Sequence, residues 1–271
     1  MKLAYYIKDS RLELDPSVMG LLADLGSAGF DVSPARCCGD VPPETEMLLS
    51  FGGDGTYLSA AALAISLGLP VLGVNFGRLG FLSENKPDDV TPALLSGDYT
   101  IEKRGMLRAE GWCLADGPQL ALNEICVQRQ GAAMLGIDVE IDGRPLPTYW
   151  ADGLLVATSS GSTAYSLSVG GPICMPDSRV LIVAPVAPHN LNVRPLVVPD
   201  SSGISISFRS RDGQLRLTVD NRGYSIPADA KIRVSAVPEA LKRVVLGGSN
   251  FIEALRARLL WGRDVRNLPQ L

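Results

Sequence analysis

Gly52-Gly53-Asp54-Gly55-Thr56 lies between an apolar run and a segment of helical pattern. Glycines in such a turn let the backbone approach a ligand closely. The free N–H groups at the start of a helix attract anions. An ordinary phosphate loop carries a lysine among its glycines, whereas this one carries a carboxylate. Beside phosphates a carboxylate is repulsive unless it accepts a proton, holds a metal ion or grips a hydroxyl. The pattern therefore suggests phosphoryl transfer, with Asp54 as base for an attacking hydroxyl. A second reading stays open, in which Asp54 caps the helix and the glycines make a tight turn.

Two further segments carry polar chemistry. Asp152-Gly153-Leu154 opens a strand that runs into Ser159-Ser160-Gly161-Ser162-Thr163-Ala164-Tyr165-Ser166, with Gly170-Gly171-Pro172 beyond. This loop offers many donors and little bulk, which suits a sugar, phosphate or amide; it reads equally as a solvated Ser/Thr loop. Asn123-Glu124 interrupts an apolar strand, where neighbours face opposite sides. The acid could accept from ribose hydroxyls, or the pair could satisfy a bulge or interior turn.

The elements that must position these residues fall into two patterns. Leu3 to Ile7, Met47 to Phe51 and Val71 to Val74 are short apolar runs of strand length. Helical spacing follows the first, behind an Asp15-Pro16 start, and Thr56 to Leu67 follows the glycine turn. Alternation of this kind predicts an α/β domain with a parallel sheet over residues 1–95. Short β-rich runs then dominate 96–248 and predict an antiparallel, sandwich-like domain, with hairpin signals at Asp142-Gly143 and Asp212-Gly213. Residues 249–271 form a third segment, a final helix from about Phe251 to Leu260 and a tail.

At 271 residues the chain is long enough for roughly two domains. Its net charge of −4 gives no cationic field for nucleic acid or anionic lipid. No segment has the continuous apolar length of a membrane span. The lone histidine, His189, nearly excludes a Cys/His metal site and leaves a Ser-His-Asp hydrolase only if it is the base; it reads as a packing residue. The five cysteines, Cys37, Cys38, Cys113, Cys126 and Cys174, read as reduced, buried hydrophobes of a cytoplasmic protein.

Taken together, these segments resemble the NAD kinase family. The matching pieces are Gly52 to Thr56, Val74-Asn75-Phe76-Gly77-Arg78-Leu79-Gly80-Phe81-Leu82, Asn123-Glu124, Asp152-Gly153-Leu154, Gly161 to Ser168 with Gly170-Gly171-Pro172, and Ala184 to Val197. The glycine turn alone is shared with diacylglycerol-type lipid kinases and echoed in phosphofructokinases; the other segments make the match specific. The resemblance implies an enzyme moving the terminal phosphate of ATP, or of polyphosphate in some members, to the 2′-hydroxyl of the NAD adenosine ribose. It implies Asp54 as proton acceptor. Asp54, Gly55, Asn123, Glu124, Asp152, Ser160, Thr163, Ala164, Tyr165, Ser166, Leu167, Ser168 and Ala187 would line the NAD site. Gly52, Gly53, Gly55, Thr56 and Arg78 would meet phosphates, and a divalent cation such as Mg2+ would sit on ATP oxygens with no assigned protein ligand. The implied fold is an α/β domain and a β-sandwich with the C-terminal helix packing back on the first domain, in homodimers or homotetramers.

The chain departs from the family pattern at Trp150, Leu58 and Asp220-Asn221-Arg222. Two rival functions share some of these features. A lipid or sphingoid-base kinase would use the same glycine turn but leaves Asn123-Glu124 and the 161–168 segment unexplained. A non-catalytic dinucleotide sensor would have no need of Asp54.

Overall fold

The computed structural model describes residues 1–77, 80–111, 117, 119–248 and 250–259. The chain forms two compact units, residues 1–102 with 242 onward, and residues 103–241. It leaves the first unit within the strand Tyr99–Glu110 and returns to it within the strand Lys231–Leu246.

In the first unit the strands stand in the order 242–246, Val71–Val74, Met47–Phe51, Lys2–Ile7 and Asp31–Pro34, all parallel. Helices cover both faces, so the inner strands are buried on both sides and read as unbroken apolar runs. Leu3, Leu49, Phe51, Leu72 and Val74 pack with Val18, Leu21 and Leu25 of the helix Pro16–Ser27 and with Val90 and Leu94 of the helix Pro87–Ser96. Asp15 caps the first of these helices, accepting from the Ser17 N–H at 2.8 Å, with proline behind it. The short helix Pro87–Ser96 lies outside the sequence-based segmentation, although Pro87 at its start and left-handed Gly97 at its end are ordinary boundary signals. The final helix, Phe251–Arg258, belongs to this unit, where Phe251 meets Phe81 at 6.2 Å between ring centroids.

The second unit is an antiparallel sandwich. One sheet runs Leu196–Pro199, Val180–Val186, Gly153–Thr158, Glu124–Arg129, Gln214–Val219, Arg222–Pro227. The opposing layer includes Tyr149–Ala151, Leu135–Ile141 and Ile204–Arg209, followed by 231–234. Ile125, Val127, Leu154, Val156 and Leu217 of the first layer pack on Ile137, Val139, Ile204, Ile206 and Val234 of the second.

The Asp142-Gly143 hairpin forms, both residues having positive φ. The Asp212-Gly213 expectation is corrected. Ile204–Arg209 and Gln214–Val219 lie in different sheets, so this turn carries the chain across the sandwich. Gln214–Val219 instead turns back at Asp220, φ 52°, to pair with Arg222–Pro227. The cysteine expectation also needs correction: Cys126 is buried and Cys174 partly so, but Cys37 and Cys38 are exposed at the start of the 3-10 turn Cys38–Asp40, and Cys113 lies outside the described residues.

Candidate functional site

The strand order of the first unit decides where a ligand would approach it. The chain steps outward from Lys2–Ile7 in one direction to Asp31–Pro34 and in the other to Met47–Phe51 and Val71–Val74. At such a reversal the loops beyond the carboxyl ends diverge and leave a crevice. Gly52 to Thr56 leaves the carboxyl end of Met47–Phe51 at that point. The helix it opens, Asp54–Leu67, begins two residues earlier than the apolar pattern suggests, with Gly53 at its N-cap. Gly53 and Gly55 are exposed, and Gly52 is buried.

Asp54 is half-buried, and its carboxylate is held by three consecutive backbone donors. The N–H of Phe81 reaches Oδ2 at 2.8 Å, and those of Leu82 and Ser83 reach Oδ1 at 3.0 and 2.9 Å. This segment is fastened in turn. The Ser83 hydroxyl donates to the Gly52 carbonyl at 2.6 Å, the Asn75 amide donates to the Ser83 carbonyl at 3.1 Å, and the Gly77 N–H donates to Asn75 Oδ1 at 2.7 Å. The cap reading of Asp54 is therefore corrected: Gly53 holds the N-cap position and the Asp54 carboxylate bonds to another loop. It joins the glycine turn to the loop after Val71–Val74, and among the described residues Oδ2 accepts a single hydrogen bond, which leaves it a lone pair for a proton. Arg78 and Leu79, in the same loop, lie outside the described residues.

In the second unit the polar segments converge on the outer face of the six-stranded sheet. Glu124 opposes Ala157 in the ladder and Gln128 opposes Gly153, so Asn123-Glu124 meets the end of Gly153–Thr158, where the Ser/Thr loop begins. Asn123 is not inside a strand. It turns the chain from Gln119–Ala121 into Glu124–Arg129, so the pair does serve an interior turn. Its carbonyl accepts from the Thr158 N–H at 2.9 Å. The turn is clamped by Asp220, whose carboxylate accepts from the N–H groups of Leu122, Asn123 and Glu124 at 2.7, 2.8 and 3.2 Å.

Glu124 is deeply placed. Burial and then the nearby charge of Asp220 push its carboxyl up to about 8, against the pull of the Tyr165 N–H. Burial raises Asp220 as well, opposed by its three backbone donors. Among the described residues, Glu124 Oε2 and Ser166 Oγ are buried without a hydrogen-bond partner. Buried polar atoms are nearly always paired, so these two, close together in the chain's polar segments, are candidates to meet a polar ligand. Gln128 donates to the Tyr165 hydroxyl at 3.0 Å, and Arg129 Nε lies 2.7 Å from Asp152 Oδ1. Tyr165 thus spans the strand, its N–H at Glu124 and its hydroxyl at Gln128. Ser160 and Thr163 form a 3-10 turn before the single helical turn Tyr165–Ser168, which holds Ser166 and Leu167; Ala164 joins the two, and only Ser168 of these is exposed. Ala187, exposed just past Val180–Val186, holds φ 46°, a strained conformation for a residue with a Cβ.

Asp220, Gln128, Arg129 and Ser83 escaped the sequence reading. Each acts through a partner distant in sequence. The only local signal was at Asp220, which begins the Asp220-Asn221-Arg222 departure. His189 is exposed, and its backbone N–H donates to the Trp150 carbonyl at 2.8 Å.

Comparison with known proteins adds what geometry alone leaves open. Residues 39–96 match the ATP-NAD kinase N-terminal domain and residues 122–246 the ATP-NAD kinase C-terminal domain. An NAD kinase of Flavobacterium psychrophilum is 38% identical over 237 residues, covering 84% of this chain and 80% of that one. One from Porphyromonas gingivalis is 37% identical, covering 98% and 99%. In structure, yeast NADH kinase complexed with NADH superposes with a TM-score of 0.84 at 23% identity, over 99% of this chain and 90% of that chain. An Archaeoglobus fulgidus NAD kinase in complex with ATP gives 0.73 at 24% identity, over 96% and 99%. At these identities the structural likeness speaks for the fold.

Proposed function

The chain belongs to the NAD kinase family, and on that premise we propose that Asp54 accepts the proton of the attacking hydroxyl in its reaction. The family phosphorylates NAD to NADP with ATP or polyphosphate, and this chain is an enzyme of that family. The bond formed is between the adenosine-ribose 2′-oxygen and the γ-phosphorus of ATP. The bond broken is between that phosphorus and the bridging oxygen of ADP.

Asp54 supports the role because its carboxylate is oriented by three backbone donors at the mouth of the parallel sheet while, among the described residues, one lone pair stays available. Phosphoryl transfer needs little covalent help, so orientation and local charge carry most of the acceleration. We assign Gly53 and Gly55, exposed at the helix start, to the phosphates with Arg78, as anions suit a helix start; Gly52 and Thr56, whose N–H groups donate to the Val74 and Gly53 carbonyls at 2.9 Å, complete the turn around them. The divalent cation enters with ATP as part of the substrate, in keeping with the preference of Mg2+ for phosphate oxygens and water.

On the second unit we assign Asn123, Glu124, Asp152, Ser160, Thr163 to Ser168 and Ala187 to the dinucleotide. The unpaired Glu124 Oε2 and Ser166 Oγ fit its hydroxyls and amide. A cytoplasmic, homo-oligomeric enzyme completes the proposal. Among the described residues no helix is long and apolar enough to cross a membrane.

The test is turnover of MgATP with NAD, NADH or a diacylglycerol, for the wild type and Asp54→Asn. The amide keeps the shape but cannot take the proton, and kcat should fall roughly 10²-fold or more with folding retained. Turnover near the wild-type rate removes Asp54 from the base role, and a phospholipid product favours the lipid-kinase reading.

A further inference from the structure

The orientation of Asp54 depends on residues 81–83, and that segment is held from the far end of the chain. Phe81 donates its N–H to Asp54, and its ring lies beneath the Arg258 guanidinium, 4.9 Å from carbon to centroid. Glu84 sits between two arginines, with Arg243 Nη2 at 2.5 Å and Arg258 Nη2 at 3.7 Å. Arg243 Nη2 also donates to the Phe81 carbonyl at 3.4 Å, and its Nη1 lies 3.8 Å from Glu102. The side chains of Glu84, Arg243 and Arg258 are only 10%, 10% and 13% exposed.

Charges this buried are costly unless matched, and replacing such groups by apolar residues often stabilises a protein. Stability is therefore a weak reason for an arginine here. Arg258 Nη1 is buried with no hydrogen-bond partner among the described residues. Burial disfavours its cation, which Glu84 and then Asp54 favour and Arg243 opposes. Arg258 thus lies over the ring of the residue whose backbone N–H holds the acid given the proton-accepting role.

We propose that Arg258, on the final helix, is a positioning residue for phosphoryl transfer, keeping the Phe81–Ser83 donors on Asp54 and supplying the positive charge beside it. This rests on the assignment of Asp54 as proton acceptor. Among the described residues, Glu84, Asp54 and Arg243 act on the charge of Arg258, Glu102 pairs with Arg243, and Asp88, Asp89, Asp98 and Glu253 line the same cavity as Arg258. Loss of its cation should move the acid limb of the kcat–pH profile to higher pH.

The experiment compares wild type, R258M, R258K and D54N by melting temperature and by kcat and KM across pH. R258M should fold and lose roughly 10–100-fold in kcat, with KM for NAD changed by less than about threefold and the acid limb moved upward. R258K, which keeps the charge, should recover most of kcat and return the limb. An R258M enzyme with unchanged kcat or an unmoved limb overturns the proposal, as does an R258K enzyme that regains its melting temperature but not its limb. If R258M does not fold, R258K decides, a limb at the wild-type position supporting the proposal and a displaced one overturning it. D54N separates the two claims: full turnover by D54N removes Asp54 from the chemistry, whereas a D54N loss beside a silent R258M removes only Arg258.

Discussion

A Cβ on Gly80 would lie 1.8 Å from Oδ1 of Asp54. The loop that supplies three donors to this carboxylate can close on it only because residue 80 has no side chain. Gly80→Ala must push the loop away or turn the acid. Loss of orientation should cut kcat by about 10²-fold. Steady-state NADP formation checks this, and an alanine variant with wild-type kcat would show that the loop's grip on Asp54 is irrelevant to turnover.

The buried Glu124 makes the stability of the free protein depend on pH. Its carboxyl, about 8 in the folded state against an ordinary 4.5, keeps a proton that the unfolded chain has already released between those values. Its stabilising contribution is therefore complete below about 4.5 and is lost as pH rises through about 8. Melting temperatures from pH 5 to 8.5 should show the decline, on the order of a few kcal/mol, and Glu124→Gln should flatten it. Equal slopes in the two proteins would contradict the assignment. Calorimetry in buffers of different ionisation enthalpy should also detect proton release on NAD binding, if ribose hydroxyls donate to the ionised acid.

Arg129 orients Asp152 through a 2.7 Å contact, with both side chains about one-third exposed. Pairs this open contribute little to stability. Arg129→Met should leave the melting temperature nearly unchanged and raise KM for NAD by roughly 3–10-fold, with kcat little affected. Unaltered KM would mean that Asp152 does not need its partner, or does not meet the dinucleotide.

Ala187 holds a left-handed conformation. Glycine has no Cβ to clash there but loses more freedom on folding, so Ala187→Gly should stabilise by roughly 0.5–1 kcal/mol. Chemical denaturation measures it, and a loss of stability would count against strain at this position.

Much of this architecture was legible in local pattern. Met47 to Phe51, the glycine turn and the helix behind it announce a strand–turn–helix, because apolar runs, glycine freedom and helical periodicity act over a few residues. The Asp142-Gly143 hairpin was equally readable. Asp212-Gly213 carries the same dipeptide and makes no hairpin, since a turn signal says nothing about the sheet to which each arm belongs. Composition and family likeness led to reading Ser160 and Thr163 to Ser168 as a candidate ligand loop. That this loop begins beside Asn123-Glu124 follows from an antiparallel register set by the sandwich core.

The amino-acid sequence on its own determined the residue types at the site and the local turns that carry them, since both depend on neighbours along the chain. Tertiary structure alone decided that Phe81, Leu82 and Ser83 hold Asp54, that Asp220 clamps a turn nearly a hundred residues earlier, and that Arg258 covers Phe81. Those pairings depend on which distant groups packing buries together, and an acid's capacity to hold or accept a proton is set by the donors and charges that burial places around it.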